Sequence, residues 1–183
     1  MSKSKLLIAG VCALAFAAPL AAHADDMTKY VINNPRVESW VIYGPQTNKK
    51  IKDPGAQWGD AVEVKMATAS AHEWDAAAQT DITGPMKKGD HIQCVVQLKG
   101  VAADGTSPVK LHMRIQVNAD PYPAFGEEDI TLTNDWQYYQ LDATADKDYA
   151  KGTNVLVIHL STGAQTVDLG PAFVLDNPPP PAQ

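Results

Sequence analysis

Cysteine is scarce in this chain of 183 residues, which contains only Cys12 and Cys94. Cys12 falls in a segment that we expect to be removed, so an internal disulfide is excluded and the fold must be stabilised by its hydrophobic core. Cys94 lies on the apolar face of a predicted strand, which predicts a buried structural thiol rather than a reactive one.

The motifs of common enzyme families are also lacking. The sequence has no G-x-S-x-G, no H-E-x-x-H, no C-x-x-C and no phosphate loop. His72, His91, His112 and His159 are scattered without metal-ligand spacing. The acidic run at residues 127–129 predicts a solvated turn, because a glycosidase needs two carboxylates on either side of one bond. We therefore predict that the protein is not an enzyme.

The first 24 residues are typical of a secretory signal peptide. Lys3 and Lys5 precede an apolar run over residues 6–22, and Ala22-His23-Ala24 forms an A-x-A cleavage motif. The run is rich in alanine and ends at this motif, which argues against a membrane span. We expect cleavage near Ala24 and a secreted or periplasmic protein. We assign residues 1–24 to the signal peptide, 25–176 to one domain and 177–183 to a proline-rich tail.

Basic residues are also few relative to acidic ones. After removal of residues 1–24, 13 basic residues stand against 21 acidic ones, a net charge of −8 with histidine neutral. Such a balance excludes the electrostatic patch that binds nucleic acid or anionic lipid. It also disfavours strongly anionic polysaccharides.

What the sequence does have is short alternating runs separated by Gly, Pro, Asn and Asp, with no long helical period. This pattern predicts an all-β sandwich of two antiparallel sheets. The predicted strands cover residues 30–32, 37–43, 61–68, 74–82, 91–98, 109–117, 130–132, 137–141, 155–160 and 165–175. Residues 44–59 are predicted to be a long loop, and Pro171 is expected at an edge, bulge or bend of the last strand.

The run at Val109–Val117 (VKLHMRIQV) is the most regular of these. Its apolar residues alternate with Lys110, His112, Arg114 and Gln116, so one face of the strand is predicted to be buried and the other wet. Imidazole, guanidinium and carboxamide groups offer several hydrogen bonds each. Such groups suit the hydroxyls of a sugar, whereas an ordinary solvated face is the competing interpretation.

A short connection over residues 100–108 predicts that this strand pairs with residues 91–98. Gln93 and Gln97 would then share one face with the polar residues of the next strand. Trp74 and Tyr138 are candidates for the aromatic ring on which a sugar stacks. The predicted ligand site therefore consists of Trp74, Gln93, Gln97, His112, Arg114, Gln116 and Tyr138.

Five segments, in order, resemble the β-jelly-roll carbohydrate-binding modules of the family 4/9/22 type, within the galactose-binding-domain-like superfamily. They are the opening NNPRVE at residues 33–38, Trp74-Asp75 before Lys88-Gly89-Asp90, Arg114-Ile115-Gln116, DWQYY at residues 135–139, and QTVDLGPAFVL at residues 165–175. The resemblance implies a non-catalytic protein that binds a polysaccharide or oligosaccharide on a concave sheet face. Val37 stands where the family usually has an aromatic residue.

The resemblance also implies one structural calcium ion, with Glu38 and Asp168 as the matching carboxylates. Two other functions stay open. One is a structural component of the cell envelope that binds a protein partner, such as an envelope protein or a glycanase, through the same jelly roll. The other is a polysaccharide-degrading enzyme that uses His112 or His159.

Overall fold

The computed structural model describes residues 27–178. Most segments in which apolar and polar residues alternate form β-strands in it. The predicted signal peptide and the tail beyond Pro178 lie outside the described residues. Ten strands form two antiparallel five-stranded sheets, which confirms the predicted all-β sandwich. Within residues 27–178, no helix has the length and apolar character needed to cross a membrane.

The strands are numbered β1 to β10 along the chain. Their bounds are β1 Val41–Tyr43, β2 Thr47–Lys52, β3 Asp60–Met66, β4 Ala77–Ile82, β5 His91–Ala102, β6 Val109–Val117, β7 Ala124–Leu132, β8 Gln137–Thr144, β9 Asn154–His159 and β10 Gln165–Asp176. Single turns of 3-10 helix cover Met27–Tyr30, Val37–Ser39, Gln57–Gly59 and Glu73–Asp75.

The first sheet has the strand order β1-β4-β9-β6-β7, and the second has the order β2-β3-β10-β5-β8. Central strands β9 and β10 each pair with neighbours on both sides. The register of β10 against β5 shifts between Leu169 and Ala172, where Gly170 and Pro171 lie. This bulge confirms the expected position of Pro171, because proline cannot donate a ladder hydrogen bond.

The core lies between the sheets. Leu111, Met113 and Ile115 on β6 all point into it, as their alternation predicts, and are almost completely buried. Cys94 faces them from β5, and burial raises the pKa of its thiol. The predicted structural role of Cys94 is confirmed, since a buried thiol with a raised pKa is unreactive.

Four of the local predictions are wrong. Residues 44–59 contain β2, an exposed edge strand whose sequence TNKKIK lacks the apolar alternation that marks a half-buried strand. Of residues 37–43, only 41–43 form a strand, β1, because 37–39 form a helical turn before it. Residues 30–32 contribute only an isolated bridge between Val31 and Leu175. Trp74 belongs to the turn Glu73–Asp75 and precedes β4 instead of opening it.

The predicted pairing of residues 91–98 with Val109–Val117 is also wrong. Strand β5 pairs with β10 and β8, whereas β6 pairs with β7 and β9 in the other sheet. The chain crosses from one sheet to the other between β5 and β6. A short connection permits this crossing as readily as a hairpin, so loop length did not decide the pairing.

Candidate functional site

The outer face of the first sheet carries two rows of side chains that run across its strands. In one row His112 of β6 lies opposite His159 of β9, which lies opposite Ala77 of β4. In the next row Arg114 lies opposite Val157, which in turn lies opposite Gln79 of β4. Ala77 and Val157 are the small side chains of these rows, and they leave room above the sheet. Ala77, Val155 and Val157 form an apolar cluster of their own, apart from the main core.

The cleft above these rows has a volume of about 580 Å³, within the range of about 300–1,000 Å³ that is typical of small-molecule sites. Its walls come from four strands, from the turn before β4 and from the loop between β6 and β7. The lining residues are Tyr43, Trp74, Gln79, Arg114, Gln116, Asn118, Pro121, Tyr122 and His159.

Three aromatic rings stand at this cleft, and all are exposed: Tyr43, Trp74 and Tyr122. Trp74 is 52% exposed although it is held in place. The ring of His72 stacks on it at 4.6 Å between centroids with an interplanar angle of 7°, and His159 meets its edge at 6.3 Å. The indole is therefore a fixed, open apolar surface.

Two polar side chains face the cleft with unused hydrogen-bonding capacity. Arg114 donates from Nε to Glu127 Oε1 at 2.7 Å, and its terminal NH₂ groups have no partner among residues 27–178. Gln116 is only 6% exposed, and its Oε1 is buried without a hydrogen-bond partner. A buried acceptor without a donor costs about 1–3 kcal/mol of stability.

The histidines beside the cleft are held by carboxylates. His159, 2% exposed, has Nδ1 at 3.1 Å from Glu73 Oε1. Burial lowers the pKa of His159 against the opposing effect of Glu73, so its imidazole is neutral at pH 7. His112 Nδ1 lies 2.6 Å from Asp129 Oδ1, and the two imidazole centroids are 5.8 Å apart. Two of the scattered histidines thus do meet across strands.

The predicted site residues divide between the two sheets. Trp74, Arg114 and Gln116 line the cleft, and His112 lies beside it on the same face. The predicted single surface is wrong for Gln93, Gln97 and Tyr138, which lie on the outer face of the second sheet because β5 belongs to that sheet. Gln97 is buried there and binds Gly55 O and Gln57 N, while Gln93 donates to Asp142.

The carboxylates that the resemblance implies for calcium do not fit such a site. Asp168 Oδ2 lies 3.3 Å from Lys99 Nζ, so an ammonium group already occupies the position of a cation. Lys99 also binds Asp53 Oδ2 at 2.6 Å. Glu38 lies in an exposed turn, and residues 27–178 contain no group of three or more His, Cys, Asp or Glu side chains placed to hold a metal. The calcium ion stays a prediction of the resemblance.

Sequence reasoning missed most of the cleft walls. Tyr43 ends an edge strand, and Asn118 and Tyr122 lie in a loop, so no periodic pattern marked them. Gln79 carried a usable signal, because it lies between Ala78 and Thr80, which point to the opposite, buried face of the strand. His159 was considered only as a candidate catalytic residue.

No protein-family model matches this chain, and no curated protein matches it. Solved structures do share its fold. A structure described as "CBM4 structure and function" is similar with a TM-score of 0.58 at 16% identity, covering 76% of this chain and 95% of its own.

Two further structures are named for the polysaccharide that they bind. The CBM22-1 xylan-binding domain of Paenibacillus barcinonensis Xyn10C has a TM-score of 0.56 at 12% identity, with 82% of this chain and 93% of that domain covered. The N-terminal cellulose-binding domain of Cellulomonas fimi β-1,4-glucanase C has a TM-score of 0.52 at 17% identity, with coverage of 78% and 90%. The chain therefore has the β-sandwich fold of carbohydrate-binding modules over most of its described length.

Proposed function

We propose that this protein binds a polysaccharide or oligosaccharide in the cleft on the outer face of the first sheet, without catalysing a reaction. Trp74, Tyr43 and Tyr122 supply apolar ring faces for the C–H surfaces of sugar rings. Arg114, Gln116, Gln79 and Asn118 supply hydrogen bonds to hydroxyls.

The open indole of Trp74 and the unpaired NH₂ groups of Arg114 in one cleft are the observation that carries this proposal. These guanidinium donors have no partner among residues 27–178, and Gln116, which lines the same cleft, has a buried Oε1 without a donor. The exposed indole of Trp74 lines the same cleft, so an apolar surface and an unmet hydrogen bond coincide. A sugar ring offers both a C–H face and hydroxyl donors.

The charged residues in and around the cleft favour an uncharged sugar as the ligand. Arg114 is the one residue lining the described cleft that carries a full charge at pH 7, and Glu127 neutralises it. The surroundings are acidic, with Glu73 and Asp129 at the neighbouring histidines. Neutral glycans such as glucans, xylans and mannans therefore fit better than polymers rich in carboxylate or sulfate.

The non-catalytic part of the proposal rests on the histidines. His159 is almost fully buried and has its Nδ1 bound to Glu73, while His112 is bound to Asp129. His159 therefore has little surface open to a ligand, and His112 does not line the cleft. The signal-like segment at residues 1–24 supports a secreted or periplasmic protein, which would meet such glycans outside the cytoplasm.

Affinity electrophoresis in gels containing soluble glucan, xylan or mannan tests the proposal. We expect at least one polymer to retard the wild-type protein, and Trp74→Ala and Gln116→Leu to remove most of the retardation. Val101→Ala is the control, because Val101 is an exposed apolar residue on the second sheet. Absence of retardation by every polymer would contradict the proposal, and so would retardation that the two cleft substitutions leave unchanged.

A further inference from the structure

The outer face of the second sheet carries a loop that is anchored unusually firmly. This loop, residues 53–59, is bound by Gln97, whose Oε1 accepts from Gln57 N at 2.7 Å and whose Nε2 donates to Gly55 O at 3.1 Å. Lys99 holds its other end through Asp53 Oδ2 at 2.6 Å. A buried amide and an ion pair thus fix the backbone of a surface loop on the sheet.

The anchored loop presents Trp58 to solvent. Trp58 has a φ of 66°, a left-handed conformation that bulky residues rarely adopt. Its indole is 45% exposed, and its remaining surface is supported by Phe173 at 5.7 Å and by the Arg36 guanidinium at 4.2 Å. Strained residues of this kind persist where the surroundings hold them, and they cluster at functional sites.

A second exposed ring contacts Gln57, the residue before Trp58. Tyr138 of β8 is 57% exposed, and its hydroxyl donates to Gln57 Oε1 at 3.1 Å. The Nε2 group of Gln57 has no partner among residues 27–178. Two open aromatic rings therefore flank one fixed amide that has free donors, which is the same combination as in the cleft of the first sheet.

The size of this surface indicates a small ligand. Trp and Tyr side chains bury about 150–250 Å² each when fully covered, so two half-exposed rings offer on the order of 200 Å². A stable protein interface needs about 800 Å² on each partner. One or two sugar rings fit the smaller area. Asp142, the acidic neighbour on this face, is already bound by His91, Gln93 and Gln140.

We propose that Trp58, Tyr138 and Gln57 form a second glycan-binding platform, so that one protein molecule holds two separate polysaccharide chains. This inference rests on the proposed function of the cleft. Sheets of a sandwich pack about 10 Å apart, and side chains on their two outer faces lie roughly 20 Å or more from each other. One straight glycan chain cannot reach both faces, and two bound chains would be cross-linked.

A two-ligand capture assay tests this platform. The protein is bound to insoluble xylan, washed, and incubated with fluorescently labelled xylohexaose; the same assay is run with swollen cellulose and labelled cellohexaose. We expect the wild-type protein to retain label on at least one solid. Trp58→Gly removes the indole at a φ that glycine adopts freely, so this variant folds. It should stay on the solid through the cleft but reduce retained label to background, whereas Trp58→Phe should keep most of the label.

The outcomes separate the two proposals. Binding of wild-type protein to a solid without retention of label overturns the second platform and leaves the proposed function in place. Retention that Trp58→Gly does not change also overturns it. Failure of the wild-type protein to bind either solid overturns both proposals for these two glycans.

Discussion

Glu127 Oε1 accepts a 2.7 Å hydrogen bond from Arg114 Nε, and this bond directs the guanidinium along the cleft. The NH₂ groups of Arg114 are left for a ligand. We expect Arg114→Ala to weaken glycan binding by about 10–100-fold, because a hydrogen bond to a charged group contributes about 1.5–3 kcal/mol. Glu127→Gln should have a smaller effect, since an amide oxygen still accepts the bond. Isothermal titration calorimetry measures the affinities of both variants for a hexasaccharide of the glycan that retards the protein in gels. Equal affinities of Arg114→Ala and wild type would argue against a role of Arg114 in binding.

Gly44 packs closely against Asp75 and Ala76, the two residues that follow Trp74. It has a φ of 98°, and a Cβ at this position would lie 2.2 Å from Asp75 O and 2.5 Å from Ala76 Cα. We expect Gly44→Ala to lower the free energy of unfolding by about 2–3 kcal/mol and to weaken glycan binding by moving the turn that carries Trp74. Urea denaturation and gel retardation measure the two effects.

Gly89→Ala is the matched control for that substitution. Gly89 has a similar φ of 93°, but a Cβ there would meet nothing within 4 Å. Gly89→Ala should lower the free energy of unfolding by only about 1–2 kcal/mol, the cost of a left-handed backbone conformation for a residue with a Cβ. It should bind glycan normally. Equal losses of stability in the two variants, with normal binding in both, would show that Gly44 has no part in positioning Trp74.

The buried imidazole of His159 predicts a pH dependence of stability. Its pKa is lowered mainly by burial, with Arg114 and His112 acting in the same direction and Glu73 opposing them. The unfolded state therefore binds a proton more readily than the folded state, and stability should fall as the pH drops below about 6.5. Urea denaturation between pH 5 and 8 measures the slope. His159→Gln should flatten it in this range; an unchanged slope would assign the dependence to other groups.

Lys99 joins the loop at residues 53–59 to Asp168. Burial already raises the pKa of Asp168, and its Oδ1 has no partner. We expect Lys99→Met to cost about 1–3 kcal/mol of stability at pH 7, because it leaves a poorly solvated carboxylate unpaired. A raised pKa favours the folded state at low pH, so this deficit should shrink as the pH approaches 4. Urea denaturation at both pH values tests this, and adding Asp168→Asn to Lys99→Met should recover part of the loss at pH 7.

Local patterns in the sequence predicted the local structure well. The alternation in β6 gave the correct buried and outer residues, and the polarity of its outer face led to Arg114 and Gln116. Alternation has no information on which strand lies next to another, however. Whether β5 is a neighbour of β6 depends on competition from β10 and β8 for its two edges, and the paired residues lie up to 84 positions apart in the chain, as for Ile92 and Asp176.

The division of the predicted site follows from the same limit. Gln93 and Gln97 have the outward orientation that their alternation predicts, but the sheet that contains them faces away from Trp74. Tyr43 and Tyr122 reach the cleft from a strand end and a loop, where position is set by tertiary contacts and not by periodicity. Composition and the alternation of polar and apolar residues therefore predict part of the cleft floor but not most of its walls.

The indole N–H signals of the four tryptophans test the central claim most directly. In a ¹H–¹⁵N spectrum Trp74 reports on the cleft, while Trp40 is an internal reference because its Nε1 donates to Gly170 O at 2.8 Å inside the protein. Titration with cellohexaose, xylohexaose and mannohexaose should shift the Trp74 signal in at least one case and leave that of Trp40 in place. A Trp74 signal that none of the three sugars moves would contradict glycan binding in this cleft.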